Sequence, residues 1–251
     1  MTTVISIHSY RGGTGKSNTT ANLGVLFAAR GLNVAIIDTD IYSPGVHILF
    51  GLDDQNTAFT LNDYLQGACS IRQAAHNVGE RLSQTLSGKL YLVPASIESG
   101  QITKILREGY DVGLLNDGLT ELIQELNIDV LLIDTHPGLN DETLLSLAIS
   151  DALVIVLRPD QQDFQGTSVT VEVARRLDVP KIVMLLNKVP AALDLAALRQ
   201  RVEERYEVPV VAALPHADDL MLLGSAGIFV LQFPEHVVTA GLRQLSLALI
   251  S

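Results

Sequence analysis

A chain of 251 residues with 28 acidic against 17 basic side chains has a formal charge of −11, so its average field repels nucleic-acid phosphates and anionic lipid heads. Its 47% hydrophobic and 18% charged composition supplies material for a dry core and argues against extended disorder, and the length fits one α/β domain over 1–251. The single cysteine, Cys69, excludes an internal disulfide and any all-cysteine metal or iron–sulfur site within one chain, which fits a reducing, cytoplasmic compartment.

Met1-Thr2-Thr3 leads straight into strand-like sequence without a basic leader, so no signal peptide is expected. A first strand is predicted over 4–8, followed by a glycine loop and a helix over about 16–30. That helix packs through Ala21, Leu23, Gly24, Phe27 and Ala28 and stops at a left-handed Gly31. The next strand covers 34–38. From 51 to 89 the chain is polar, shows no clear strand and suggests two short helices, near 61–65 and 71–78. Apolar runs then predict strands over 90–94, 130–134, 152–157, 181–187 and 210–213, with helices in the intervals. The Arg199-Gln200-Arg201 group runs into Glu203-Glu204 and reads as a solvated helix face. The tail, 235–251, is helix-like. Val238, Leu242, Leu245 and Leu249 share one face with Arg243 as its lone cation, a pattern for packing on a sheet rather than lying on lipid. The whole pattern implies a doubly wound, mostly parallel sheet with helices on both faces.

The loop Arg11-Gly12-Gly13-Thr14-Gly15-Lys16-Ser17 carries the chemistry. Glycines let backbone N–H groups curl round an anion, and the following helix aims its positive end at the same point. Lys16 adds charge at the β- and γ-phosphates, Ser17 offers a hydroxyl to Mg²⁺, and Asn18 lends its backbone N–H to the α-phosphate. Tyr10 stands where a strict P-loop has glycine, so the loop is a variant. Asp134 closes the 130–134 strand and can hold Mg²⁺ through water opposite Ser17.

With Thr19-Thr20-Ala21-Asn22-Leu23 behind it, the loop resembles the deviant Walker A sequence of the MinD/ParA ATPases, Arg11 holding the place of the family's first lysine. The resemblance spans the chain. It implies that Asp38-Thr39-Asp40 is switch I, with Asp40 orienting the attacking water and Asp38 nearer the metal shell or the dimer contact. It makes Thr135-His136-Pro137-Gly138 switch II, where Gly138 offers its N–H to the γ-phosphate. Asn187 would read the adenine edge, for which a side-chain amide has the right donor and acceptor, and Leu214-Pro215 would pass beside the base. Lys16, Asp40 and Arg11 form the catalytic set, Arg11 reaching across a dimer. His136 stays outside it, since loop histidines commonly serve as solvent or contact residues. The Cys-x-x-Cys of the related iron–sulfur scaffolds is absent.

The resemblance therefore implies an ATP- and Mg²⁺-dependent hydrolase that dimerises with ATP and positions or regulates an unidentified partner protein. The alternative is a nucleotide-gated binding adaptor with negligible turnover. Neither a membrane nor a DNA tether is assigned.

Overall fold

The computed structural model describes residues 2–53 and 55–250; Met1 and Ser251, on which the readings of the chain's start and tail partly fall, lie outside the described residues, as does Asp54. The first part of the chain forms β1 (Thr3–His8), α1 (Lys16–Ala29), β2 (Val34–Asp38), α2 (Val46–Leu49), α3 (Leu61–Leu65), α4 (Ile71–Ala74) and β3 (His76–Asn77). Then come β4 (Leu90–Val93), α5 (Ser99–Glu108), α6 (Val112–Leu126), β5 (Val130–Asp134), α7 (Asp141–Ala148) and β6 (Ala152–Leu157). The last part holds α8 (Gln161–Arg176), β7 (Lys181–Val189), α9 (Leu195–Tyr206), β8 (Val210–Pro215), α10 (Asp218–Leu223), α11 (Phe229–Gln232) and α12 (Val237–Leu249).

One eight-stranded sheet runs β3-β4-β2-β5-β1-β6-β7-β8, parallel throughout except for β3 against β4. From β1 the chain steps over β5 to β2, and from β5 it steps back over β1 to β6. The order therefore reverses at β1, and open α/β sheets bind ligands at such a point, outside the carboxyl ends of the strands.

Alternation along each strand divides the core. Val130 and Leu132 of β5 join the layer under α1 and α12, whereas Leu131 and Ile133 face the layer under α3, α4 and α6. On the same side as the latter, Leu153, Ile155, Met184 and Leu186 of β6 and β7 pack with Val171 of α8 and Leu198 of α9. Continuous apolar runs are what strands covered on both faces require. Truncating Leu132 to alanine, for instance, would cost about 2–5 kcal/mol by cavity formation.

Two expectations are corrected. The 51–89 segment does contain a strand, since His76 and Asn77 pair with Leu92 and Tyr91. Two residues are too few to show a period, and this edge pairing is dictated by β4 rather than by local propensity. The expected 71–78 helix ends at Ala74, because Ala75 is already extended and turns the chain into β3. Gly31, at φ +89°, is the left-handed stop behind α1. In α12 the expected face, Val238, Leu242, Leu245 and Leu249, is buried in the core. Among the described residues no helix is long and apolar enough to cross a membrane.

Candidate nucleotide site

The glycine loop joins β1 to α1 at the reversal point. Gly13 and Gly15 take φ of +77° and +101°, a region costly for any residue with a Cβ. A Cβ on Gly15 would also stand 2.4 Å from the Asn187 amide nitrogen. Among the described residues no side chain caps α1, so its first-turn amides stay directed into the loop, with the helix dipole behind them. Lys16 is only 6% exposed beneath this hollow.

Two hydroxyls of α1 converge on one carboxylate. Ser17 Oγ donates to Asp134 Oδ2 at 2.7 Å, and Thr20 Oγ1 donates to Asp134 Oδ1 at 2.8 Å. Burial pushes the Asp134 carboxyl up to about 6, opposed by the Lys16 charge and by these two bonds. Thr20 escaped the sequence reading, although it lies three positions after Ser17 and so on the same face of the helix.

Asp38 and Asp134 are register partners on adjacent strands. Asp38 Oδ2 accepts from the Gly45 and Val46 amides at 3.1 and 3.3 Å, and its Oδ1 accepts from the Asp40 amide at 3.1 Å, so it anchors the backbone of the loop after β2. Burial, then the neighbouring Asp134, raises its carboxyl well above the usual range. Asp40 points instead toward the segment after β5, where His136 Nδ1 lies 2.7 Å from its Oδ1. The sequence reading had set His136 aside.

The donor set fits Mg²⁺, a hard cation that takes oxygen ligands and keeps several waters. Ser17 and Asp134 supply such oxygens side by side. Among the described residues no group of three or more His, Cys, Asp or Glu side chains could hold a metal. The ion would therefore depend on phosphate oxygens and water for the remainder of its shell.

Asn187 braces the loop, its Nδ2 donating to the Thr14 carbonyl at 2.8 Å and its Oδ1 accepting from the Lys188 amide at 2.9 Å. Lys188, at φ +55°, turns its ammonium onto the Gly13 carbonyl at 2.9 Å, a second brace that sequence alone does not reveal. Gly15, Asn18, Asn187, Leu214 and Leu220 line a crevice behind the loop, with Pro215 ending the neighbouring strand. Gly138 takes φ +85° and donates its N–H to the Ser9 carbonyl at 3.3 Å. Tyr10 leans on α8 at Gly166, where an added Cβ would collide with the ring at 2.0 Å, which is how the variant loop accommodates an aromatic. Arg11 turns to the start of α8, its Nη1 3.6 Å from Asp160 Oδ1 and 3.7 Å from Asp163 Oδ1.

An uncapped helix behind a glycine loop, a buried lysine and a hydroxyl on a strand-end carboxylate, all at the reversal point of a parallel sheet, define a P-loop nucleotide-binding protein. Residues 2–181 match the AAA domain family. The chain belongs to that family and, within it, to the MinD/ParA-type P-loop ATPases. It is 26% identical over its whole length to an uncharacterized ATP-binding protein of Methanocaldococcus jannaschii, 88% of which is matched. A putative septum site-determining protein MinD of Chlorella vulgaris is 26% identical over 89% of this chain and 76% of its own. In structure it is similar to the septum site-determining protein MinD of Pyrococcus horikoshii complexed with Mg-ADP. The TM-score is 0.81 at 23% identity, with 100% of this chain and 97% of the other covered.

Proposed function

We propose that the chain, acting as one domain over 1–251 in the cytoplasm, binds and hydrolyses ATP with Mg²⁺ as a dimeric switch that positions or regulates a partner protein. The observation that carries this reading is the convergence of Ser17 and Thr20 on Asp134 beside the buried Lys16.

In this reading the amides of Gly12, Gly13, Thr14, Gly15 and Asn18 hold the phosphates, and Lys16 sets a positive charge against the β- and γ-oxygens. Bound Mg²⁺ supplies charge neutralisation at those oxygens. Ser17 and Asp134 hold its place, and Asp38 fixes the switch I backbone beside it. Asp40 orients the attacking water, the main task left to side chains in phosphoryl transfer. Gly138 exchanges the Ser9 carbonyl for the γ-phosphate, and Arg11 leaves α8 for the partner subunit's phosphates. Asn187 and Pro215 border the base. The Mg-ADP in the Pyrococcus horikoshii relative supports the choice of nucleotide and metal.

Phosphate release by wild type, Lys16→Ala and Asp40→Ala, paired with sedimentation in ATP, tests the reading. Slow release by wild type, none by Lys16→Ala, and a dimer accumulating in Asp40→Ala are expected. Wild-type release equal to that of Lys16→Ala, with ATP still bound, would leave the nucleotide-gated adaptor. Absence of nucleotide binding would remove both.

A further inference from the structure

Switch I is joined to the end of β5 and to switch II at two successive points. Thr39 donates its amide and its hydroxyl to the Asp134 carbonyl, both at 3.0 Å. One residue further along switch I and two along switch II, His136 Nδ1 meets Asp40 Oδ1 at 2.7 Å. A carboxylate oxygen accepts, so Nδ1 carries the hydrogen and donates it. Tyr42, two residues after Asp40, lays its ring against the imidazole with centroids 4.8 Å apart. The imidazole is thus held by the loop after β2 through a hydrogen bond to switch I and through a ring contact with Tyr42.

Asp40 is 7% exposed, and its other partner is Ser43, which donates its amide at 3.1 Å to Oδ1 and approaches both oxygens with its hydroxyl at 3.2 Å. Ser43 belongs to the same loop as Asp40, so it cannot fix the carboxylate relative to switch II. Among the described residues only the His136 bond does that directly. We propose that His136 is a positioning residue of the hydrolytic step, setting the Asp40 carboxylate through Nδ1–H and locking switch II to switch I. This rests on the reading of Asp40 as the group that orients the attacking water. His136 acts through Asp40 and touches no reacting atom.

The test is steady-state ATP hydrolysis by His136→Ala, His136→Phe and His136→Asn. Phenylalanine keeps a ring for Tyr42 and loses the donor, whereas asparagine keeps an N–H donor near the Nδ1 position. Alanine and phenylalanine should each lower kcat by about ten- to a hundredfold through misplacement of the carboxylate. KM for ATP should stay within about twofold of wild type, since phosphate binding is untouched. Asparagine should restore most of the loss, and His136→Ala should not lower the residual turnover of Asp40→Ala further. Full kcat in His136→Phe, or additive losses in the double variant, would overturn the proposal. If wild type releases no more phosphate than Lys16→Ala, the ATPase reading fails and the positioning role falls with it, whereas the ring-nitrogen NMR shifts of His136 test the bond to Asp40 independently. A protonated Nδ1 whose signal moves in Asp40→Ala upholds the bond that the proposal needs; a signal indifferent to that substitution overturns it.

Discussion

Arg11 and Asp163 of the same chain face each other at 3.7 Å, between the entrance of the glycine loop and the first turn of α8. Asp163 is 2% exposed and already serves Arg158, taking its Nε at 3.1 Å and its amide at 3.0 Å. Asp160 likewise caps α8 by accepting from the Asp163 amide at 3.0 Å. Both acids therefore have structural partners, and Arg11 is an addition to them. With Arg11 41% exposed, such a long ion pair contributes about 0–1 kcal/mol in water. That is little to give up, and a guanidinium that leaves it has the planar fork that phosphate oxygens suit.

Arg11→Ala is accordingly expected to leave ATP affinity and folding almost unchanged while weakening ATP-dependent dimerisation and turnover. Sedimentation in ATP, with both proteins carrying Asp40→Ala to hold the nucleotide, reads this directly. Equal dimerisation with and without Arg11, together with normal turnover of mixtures with Lys16→Ala, would remove its role across the dimer.

Lys16→Ala removes a buried cation rather than an exposed one. Charge-assisted bonds to phosphate contribute about 1.5–3 kcal/mol each, so ATP affinity should fall by at least tenfold. Isothermal titration calorimetry measures it. Unchanged affinity would sink the assignment of this loop to phosphate binding, whatever the fate of the hydrolytic step.

Asp134→Asn tests the metal. The substitution keeps the shape facing Ser17 and Thr20 but removes the charge, so the Mg²⁺ concentration needed for half-maximal ATP binding should rise by about tenfold. Chelating Mg²⁺ in wild type should produce the same loss of ATP affinity. Were the two proteins to show one Mg²⁺ dependence, Asp134 would be no part of the metal's surroundings.

The loop, the strand-end acids and the packed face of α1 were legible because each is a local pattern. Ala21, Leu23, Gly24, Phe27 and Ala28 are indeed buried. Buried with them are Thr19 and Asn22, since α11 and α12 return from the end of the chain to cover the other side of α1. There Asn22 Oδ1 accepts from the Val230 amide, 208 residues away. No periodicity in α1 encodes that return. His136 was illegible for the same reason, its partner Asp40 lying 96 residues distant. Lys188 shows a different limit: its left-handed backbone aims a cation at the glycine loop, yet nothing in Asn187-Lys188-Val189 announces a positive φ.

The last prediction concerns His8, fully buried at the end of β1, with Nδ1 2.7 Å from Thr135 Oγ1. Thr135 gives its hydrogen to the Ile7 carbonyl at 3.0 Å, so His8 Nδ1–H donates and the neutral ring is the form that fits. Burial, then the Lys16 charge, then His136, lowers its pKa from 6.5 to about 3. Between those values the unfolded chain holds a proton on this ring that the folded chain does not. Its contribution to stability is therefore complete above 6.5 and is lost as pH falls toward 3, with a slope of about 1.4 kcal/mol per pH unit for one full proton. Asp134 works in the opposite sense, because its raised carboxyl, at about 6, favours the protonated folded form as pH falls. Wild type alone would blur the two effects. Comparing it with His8→Asn, which keeps a donor toward Thr135 and cannot charge, leaves Asp134 common to both proteins. Urea unfolding at several pH values from about 5 to 8 should give a stability difference that grows in favour of wild type as pH rises to about 6.5 and is level above it. A difference that stays constant across that range would mean that His8 does not titrate differently in the folded and unfolded chains.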